Sequence, residues 1–151
     1  MASFEASDPD FERRVRASFA KQQVMALLQA RLARVAAGEV DVELPVRPEV
    51  TQQHGFVHAG VVTTIVDSAC GYAALSLMPV GAAVLSVEFK TNLLAPAKGE
   101  RLIARARVLK PGRNITVCAG DVFAVAGGKE TLAATMLATM MVVRDRPGLV
   151  D

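Results

Sequence analysis

GFVHAGVVTTIVDSACGYA, residues 55–73, is the stretch from which the rest of this chain can be read. From Val61 to Leu77 the residues are apolar nearly all round, without proline, and the run is closed by Pro79 and Gly81. That length exceeds a typical strand, and a helix hydrophobic on every side belongs in the middle of a protein. The pattern predicts a buried central helix. One residue is out of keeping: Asp67 is the sole acid between Glu49 and Glu88. A carboxylate among apolar neighbours costs several kcal/mol unless something compensates it, so Asp67 reads as functional.

The polar loop Gln52 to Gly60 leads into that helix and holds the only two histidines, His54 and His58. Each, taken singly, is as well explained as a loop residue or a helix cap. Gly55 and Gly60 bracket the helix start, where the amides of Ala59 and Gly60 are expected to be unpaired donors at the positive end of the dipole. Thr63, Thr64, Ser68 and Cys70 read as small packing residues, and no base stands near enough in sequence to make Cys70 a nucleophile. His58 and Asp67 are nine residues apart, about 13.5 Å along a helix and roughly half a turn around it. They cannot serve one small reacting group within one chain. If both act on the same group, one comes from a second subunit, which predicts a dimer with the site at its interface.

Outward from the centre, period-two patterns take over. Val40, Val42 and Leu44 alternate with Glu39, Asp41 and Glu43, a half-buried strand ended by Pro45 and Pro48. After the helix, Leu85, Val87, Phe89, Thr91 and Leu93 are expected on one face of a strand, with Ser86, Glu88, Lys90 and Asn92 on the other. Leu102, Ala104, Ala106 and Val108 alternate with Arg101, Arg105 and Arg107 in the next. Pro111-Gly112 turns into a strand over Asn114 to Ala126, and Gly127-Gly128 into one over Lys129 to Arg144. At the N-terminus, Asp8 as cap and Pro9 as first residue open an amphipathic helix over 9–27, with Phe11, Val15 and Phe19 inward and Arg13, Arg14 and Arg16 outward. Residues 26–38 suit either helix or edge strand. The order gives an α+β domain, one sheet wrapped on one helix.

Composition narrows the function. Within 151 residues, 52% are apolar and 21% charged, enough for one domain with a core (1–151, residues 1–28 being a helical extension) and too ordered a mixture for disorder. A net charge of +2 and a pI near 8.7 are too mild for a generic nucleic-acid binder, and with no Trp and one Tyr there is no stacking platform. Cys70 and Cys118 have no metal or disulfide spacing. No apolar run reaches the ~18 residues a membrane helix needs, and the N-terminus has no secretory pattern, so a cytoplasmic protein is expected.

The segment 55–73 closely resembles the signature of PaaI-like hotdog-fold acyl-CoA thioesterases, N-x-x-G-x-x-H-G-G followed by an Asp nine residues after the His. Gly55, His58, Gly60 and Asp67 fall on it. LSVEFKTNLLAPAKGE, residues 85–100, looks like the family's third strand, and the resemblance runs from about Leu32 to Val143. It implies a hotdog fold, an antiparallel sheet around a long helix, with an edge strand before Gly38. It implies hydrolysis of an acyl-CoA or aryl-acyl-CoA, with Asp67 as base or nucleophile and the Ala59 amide as oxyanion donor. His58 would orient the thioester or the helix start, and Ser86 the attacking water. The family's Asn falls at Gln52, or at Gln53 if the loop slips by one, and one position of its Gly-Gly pair is Ala59.

Six basic residues lie between Lys98 and Arg113 against one acid, Glu100. A solvated strand face is the ordinary meaning, but coenzyme A is phosphorylated and the turn Pro111–Asn114 resembles a family loop near the nucleotide. Lys110, Arg113 and Asn114 are thus candidate substrate contacts together with Gly60. No metal or cofactor is implied, coenzyme A being part of the substrate; the partners implied are acyl-CoA and further copies of the chain, as dimer or tetramer. Two other readings stand beside this one. A non-catalytic acyl-CoA-binding hotdog protein leaves Asp67 without a purpose, and a hotdog enoyl-CoA hydratase has the Asp and His in the opposite order.

Overall fold

Helix α3, Ala59–Leu75, is the axis of the molecule, and Val62, Ile65, Val66, Ala69, Cys70, Ala73 and Leu75 on it are almost wholly buried. The computed structural model describes residues 4–149 and 151. The described residues form six strands: β1 Arg31–Ala36, β2 Glu39–Pro45, β3 Ala83–Leu93, β4 Arg101–Lys110, β5 Ile115–Ala126 and β6 Lys129–Val143. They form one antiparallel sheet in the order β1-β2-β4-β5-β6-β3, so β3 is an edge strand. A short 3-10 turn, Pro48–Val50, separates β2 from the loop that enters α3.

The clean alternation of β2 survives intact, with Val40, Val42 and Leu44 fully buried under the helix. Residues 31–36, ambiguous by propensity, pair with β2 as an edge strand. Helix and sheet meet most closely at Gly120 on β5, where a Cβ would lie 2.5 Å from Val66 Cγ2 and 3.0 Å from Cys70 Sγ. Only a glycine lets the two layers approach this far.

Four expectations are corrected. The helix expected over 9–27 is two: α1, Phe11–Phe19, and α2, Gln23–Leu28, separated by a turn at Ala20–Gln22. Asp8 does not cap α1; its carboxylate accepts the Asp10 amide (2.9 Å) and pairs with Arg14 (3.3 Å). Arg14 in turn does not face away. Its guanidinium donates to the carbonyls of Leu75, Met78 and Pro79 at 2.7–3.1 Å, closing the negative end of α3 with a cation. With Val15, Phe19, Met25 and Leu28 in the core, these helices are part of the domain's packing.

The fourth correction concerns β3. A bulge between Ser86 and Glu88 breaks its alternation. Ser86, Phe89, Thr91 and Leu93 stand opposite Met140, Ala138, Met136 and Ala134, the inward residues of β6, while Leu85, Glu88, Lys90 and Asn92 oppose its outward ones. Ser86 therefore looks toward α3, and Phe89 and Leu93 lie on its side of the sheet.

Candidate active site

The loop before α3 is fixed by its own hydrogen bonds. The Gln52 amide donates to the Phe56 carbonyl (2.8 Å), the Gly55 amide to the Gln52 carbonyl (2.9 Å), and Gly55 sits at φ +82°. The Gln52 side-chain oxygen accepts the His54 amide, so Gln52 braces the loop, and His54 is exposed at its tip. The Val57 amide donates to Ala97 O and the His58 amide to Val50 O, tying the helix start to its neighbours.

His58 is the N-cap of α3: its Nδ1 accepts the Gly60 amide at 2.9 Å. That bond needs a lone pair on Nδ1, so the neutral ring carries its proton on Nε2. It also corrects one expectation, because the Gly60 amide is consumed by the cap. The Ala59 amide, first of the helix, donates to no acceptor among the described residues, and it remains the donor at this dipole end. Gln52, His58 and Ala59 line a cavity of about 570 Å³ whose other walls are mainly apolar, among them Phe56, Val62, Leu93, Leu94 and Pro96.

Asp67 lies elsewhere. It lines a second, smaller cavity of about 110 Å³ with Gln22, Ser68, Gly71, Tyr72, Val84, Ser86 and Asp151, and shares no wall residue with the first. The Ser86 hydroxyl donates to Asp67 Oδ1 at 2.7 Å. Burial pushes the Asp67 carboxyl above the usual aspartate range, and the Ser86 hydrogen bond only partly offsets this. Burial likewise raises the thiols, Cys118 to about 12 and Cys70 well above the usual range, so neither is a thiolate. Among the described residues no group of three His, Cys, Asp or Glu is placed to hold a metal.

Within one chain the structure thus brings Gln52, His58 and Ala59 together, and Asp67 with Ser86, but does not join the two sets. Lys110, Arg113 and Asn114 line neither cavity. They sit at the β4–β5 turn, where the Arg113 carbonyl and Asn114 Oδ1 accept from Arg144. Half of the basic run is spent on strand pairing: Arg101 meets Glu43, Arg105 meets Glu130 through two 2.7 Å bonds, and Arg107 meets Asp121. Phe56 lines the first cavity and Tyr72 the second, while Met78 is in the core. Gln22, Gly71 and Asp151 were missed, because no sequence pattern links the N-terminal turn or the last residue to mid-helix.

The Thioesterase superfamily model matches residues 54–131. A thioesterase family protein from Silicibacter pomeroyi is 52% identical, with a TM-score of 0.88 over 89% of this chain and 99% of its own. Human acyl-coenzyme A thioesterase 13 is 34% identical over 99 residues, 65% of this chain and 70% of that protein. The E. coli PaaI protein shares the fold at 19% identity, with a TM-score of 0.79 over 93% of this chain and 96% of its own. The six-stranded sheet around α3 is the hotdog fold of these structures, and the chain belongs to the thioesterase superfamily.

Proposed function

We propose that the protein hydrolyses acyl-CoA thioesters in a site shared by two copies, Asp67 of one acting with the Ala59 amide of the other. One observation carries the reading: the two half-sites flank opposite ends of the same edge strand. Ser86, beside Asp67, is near the start of β3, and Leu93, in the wall of the His58 cavity, is its last residue. Seven residues separate them, roughly 20 Å of strand. An antiparallel pairing of β3 with β3 of a second copy sets Ser86 of each against Leu93 of the other. Each Asp67 is thereby carried toward the other copy's helix start. β3 is suited to such pairing: it is eleven residues long, unpaired on one side, and exposes Val87 (54%), Phe89 (43%) and Leu93 (56%).

In the joined site the thioester carbonyl oxygen points at the Ala59 amide, where negative charge develops as the carbonyl carbon becomes tetrahedral. Asp67 either takes a proton from water as it attacks, or attacks directly to give an anhydride that water then opens; both routes yield the free acid and the CoA thiol. The Ser86 hydroxyl steadies the carboxylate, and the raised pKa strengthens Asp67 as a base. His58 fixes the helix start and offers Nε2–H to the cavity, and Gln52 holds the loop. No cofactor enters. Ile115 pairs with Met141 and Met141 with Leu85, so the turn bearing Lys110, Arg113 and Asn114 lies at the Ser86 end of the sheet. The same pairing brings that turn toward the other copy's cavity, as contacts for the phosphates of CoA.

The test is thiol release from a panel of CoA esters. Wild type releases thiol from at least one ester, and Asp67→Asn loses about 10²–10⁴ in kcat. Wild type inert on every ester, or Asp67→Asn as active as wild type, would defeat the reading.

A further inference from the structure

Glycine inside a helix or a strand lowers its stability relative to alanine, so a glycine in mid-element calls for a reason. Gly120, packed against α3, has one, since a Cβ there would collide with Val66. Gly71, within α3, has none in the protomer: a Cβ at this position would meet nothing within 4 Å. It lies one turn beyond Asp67 on the same helix face and lines the small cavity. Its effect is to keep that cavity open.

The walls of the cavity are mostly polar. Ser68 donates to the Gln22 side-chain oxygen (3.3 Å), and the Tyr72 hydroxyl lies 3.3 Å from Ser18 Oγ, which donates to Asp151 (2.7 Å). The second Asp151 oxygen accepts the Val84 amide (3.1 Å). At about 30 Å³ for each water-sized group, 110 Å³ holds about three to four such groups. An alkyl chain entering it would strip water from these walls and offer no hydrogen bond in return. A short chain with its own hydroxyl would replace the water.

We infer that the far end of the acyl group enters this cavity, that Gly71 sets how much of it is admitted, and that the preferred acyl group is short and hydroxylated. This rests on the thioesterase reading of Asp67. It is tested by kcat/KM for acetyl-, butyryl-, 3-hydroxybutyryl- and octanoyl-CoA with wild type, Gly71→Ala and Gly71→Val. Wild type favours the hydroxybutyryl over the butyryl ester and uses octanoyl least. Gly71→Ala lowers the preference for hydroxybutyryl over acetyl by about tenfold, the usual effect of one methyl group in a binding pocket, and Gly71→Val lowers it further. A melting temperature of Gly71→Ala at or above wild type excludes unfolding as the cause. An acyl profile unchanged in both variants overturns the inference. So does a fall by one common factor on every ester, which would mark the cavity as a water store. Wild type inert on all four esters and on every other ester tried would defeat the thioesterase reading itself, and this inference with it; activity with an unaltered profile defeats this inference alone.

Discussion

The start of α3 and its middle are built on opposite principles. At the start the groups on offer are donors, the Ala59 amide and the His58 Nε2–H, exposed at the mouth of a roomy and largely apolar cavity. At the middle the group on offer is an acceptor, a half-buried carboxylate with Ser86 as its hydrogen-bond donor, beside a small polar cavity. Neither arrangement satisfies itself. A dipole end favours an anion and a desolvated carboxylate favours something that donates or is attacked. On the proposed reading each region is half of a site, and the missing half of each is what the other provides.

The largest expected effect breaks or confirms that complementarity directly. Ala59 is the first helical residue, where proline is well accepted, and His58 before it already has the extended conformation proline requires (φ −60°, ψ 138°). Ala59→Pro therefore removes the amide proton while keeping the helix, and activity falls about 10²–10³-fold. Mixing Ala59→Pro with Asp67→Asn under conditions that exchange subunits then restores activity, because each mixed dimer contains one site with both native groups. No restoration would place both groups' work within one chain.

Gly120→Ala comes next and sharpens the contrast between the two glycines. The methyl group meets Val66, so unfolding stability falls by about 1–3 kcal/mol in denaturant titrations, whereas Gly71→Ala leaves it equal or higher. Equal losses at both positions would show that the space at Gly71 is not open. His58→Ala removes the cap and costs about 0.5–2 kcal/mol, while His58→Asn retains most of the stability. If both variants lose activity alike, His58 acts through Nε2–H as well as through the cap.

Ser86→Ala has the smallest effect, and it is one of pH. The hydroxyl favours the ionised Asp67, so removing it lifts a carboxyl that burial has already raised. In the proposed mechanism the carboxylate is the active form, so the acid limb of the kcat profile moves to higher pH in the variant. The stability consequence has the opposite sense to a salt-bridged aspartate. With the folded pKa above the unfolded one, the protonated state is favoured by folding, and wild type loses stability as pH rises from the usual aspartate value through the raised one. A limb that stays in place would mean that Ser86 does not meet the ionised form.

Much of the frame was legible because burial on one face writes a period into the chain. Val40, Val42 and Leu44 could be assigned inward, and α3 could be recognised from its uninterrupted apolar run, as could the isolation of Asp67 within it. The readings that failed share a cause. A bulge adds one residue without leaving a mark in composition, so the faces of β3 beyond Ser86 were exchanged. Arg14 looked like an outward charge because its partners, the carbonyls that end α3, lie more than sixty residues away. Gly60 looked like a free donor because nothing in the order of residues says that His58 turns back onto it.

The amino-acid order by itself determined the layers, the central helix, and the separation of His58 from Asp67, since periodicity and rise per residue are local properties of a polypeptide. Tertiary structure alone decided that Ser86 reaches Asp67, that the Ala59 amide and not that of Gly60 is left over, and that Gly71 and Gly120 do opposite things. Those are questions of which atoms meet across the core, and distance through space is not written in distance along the chain.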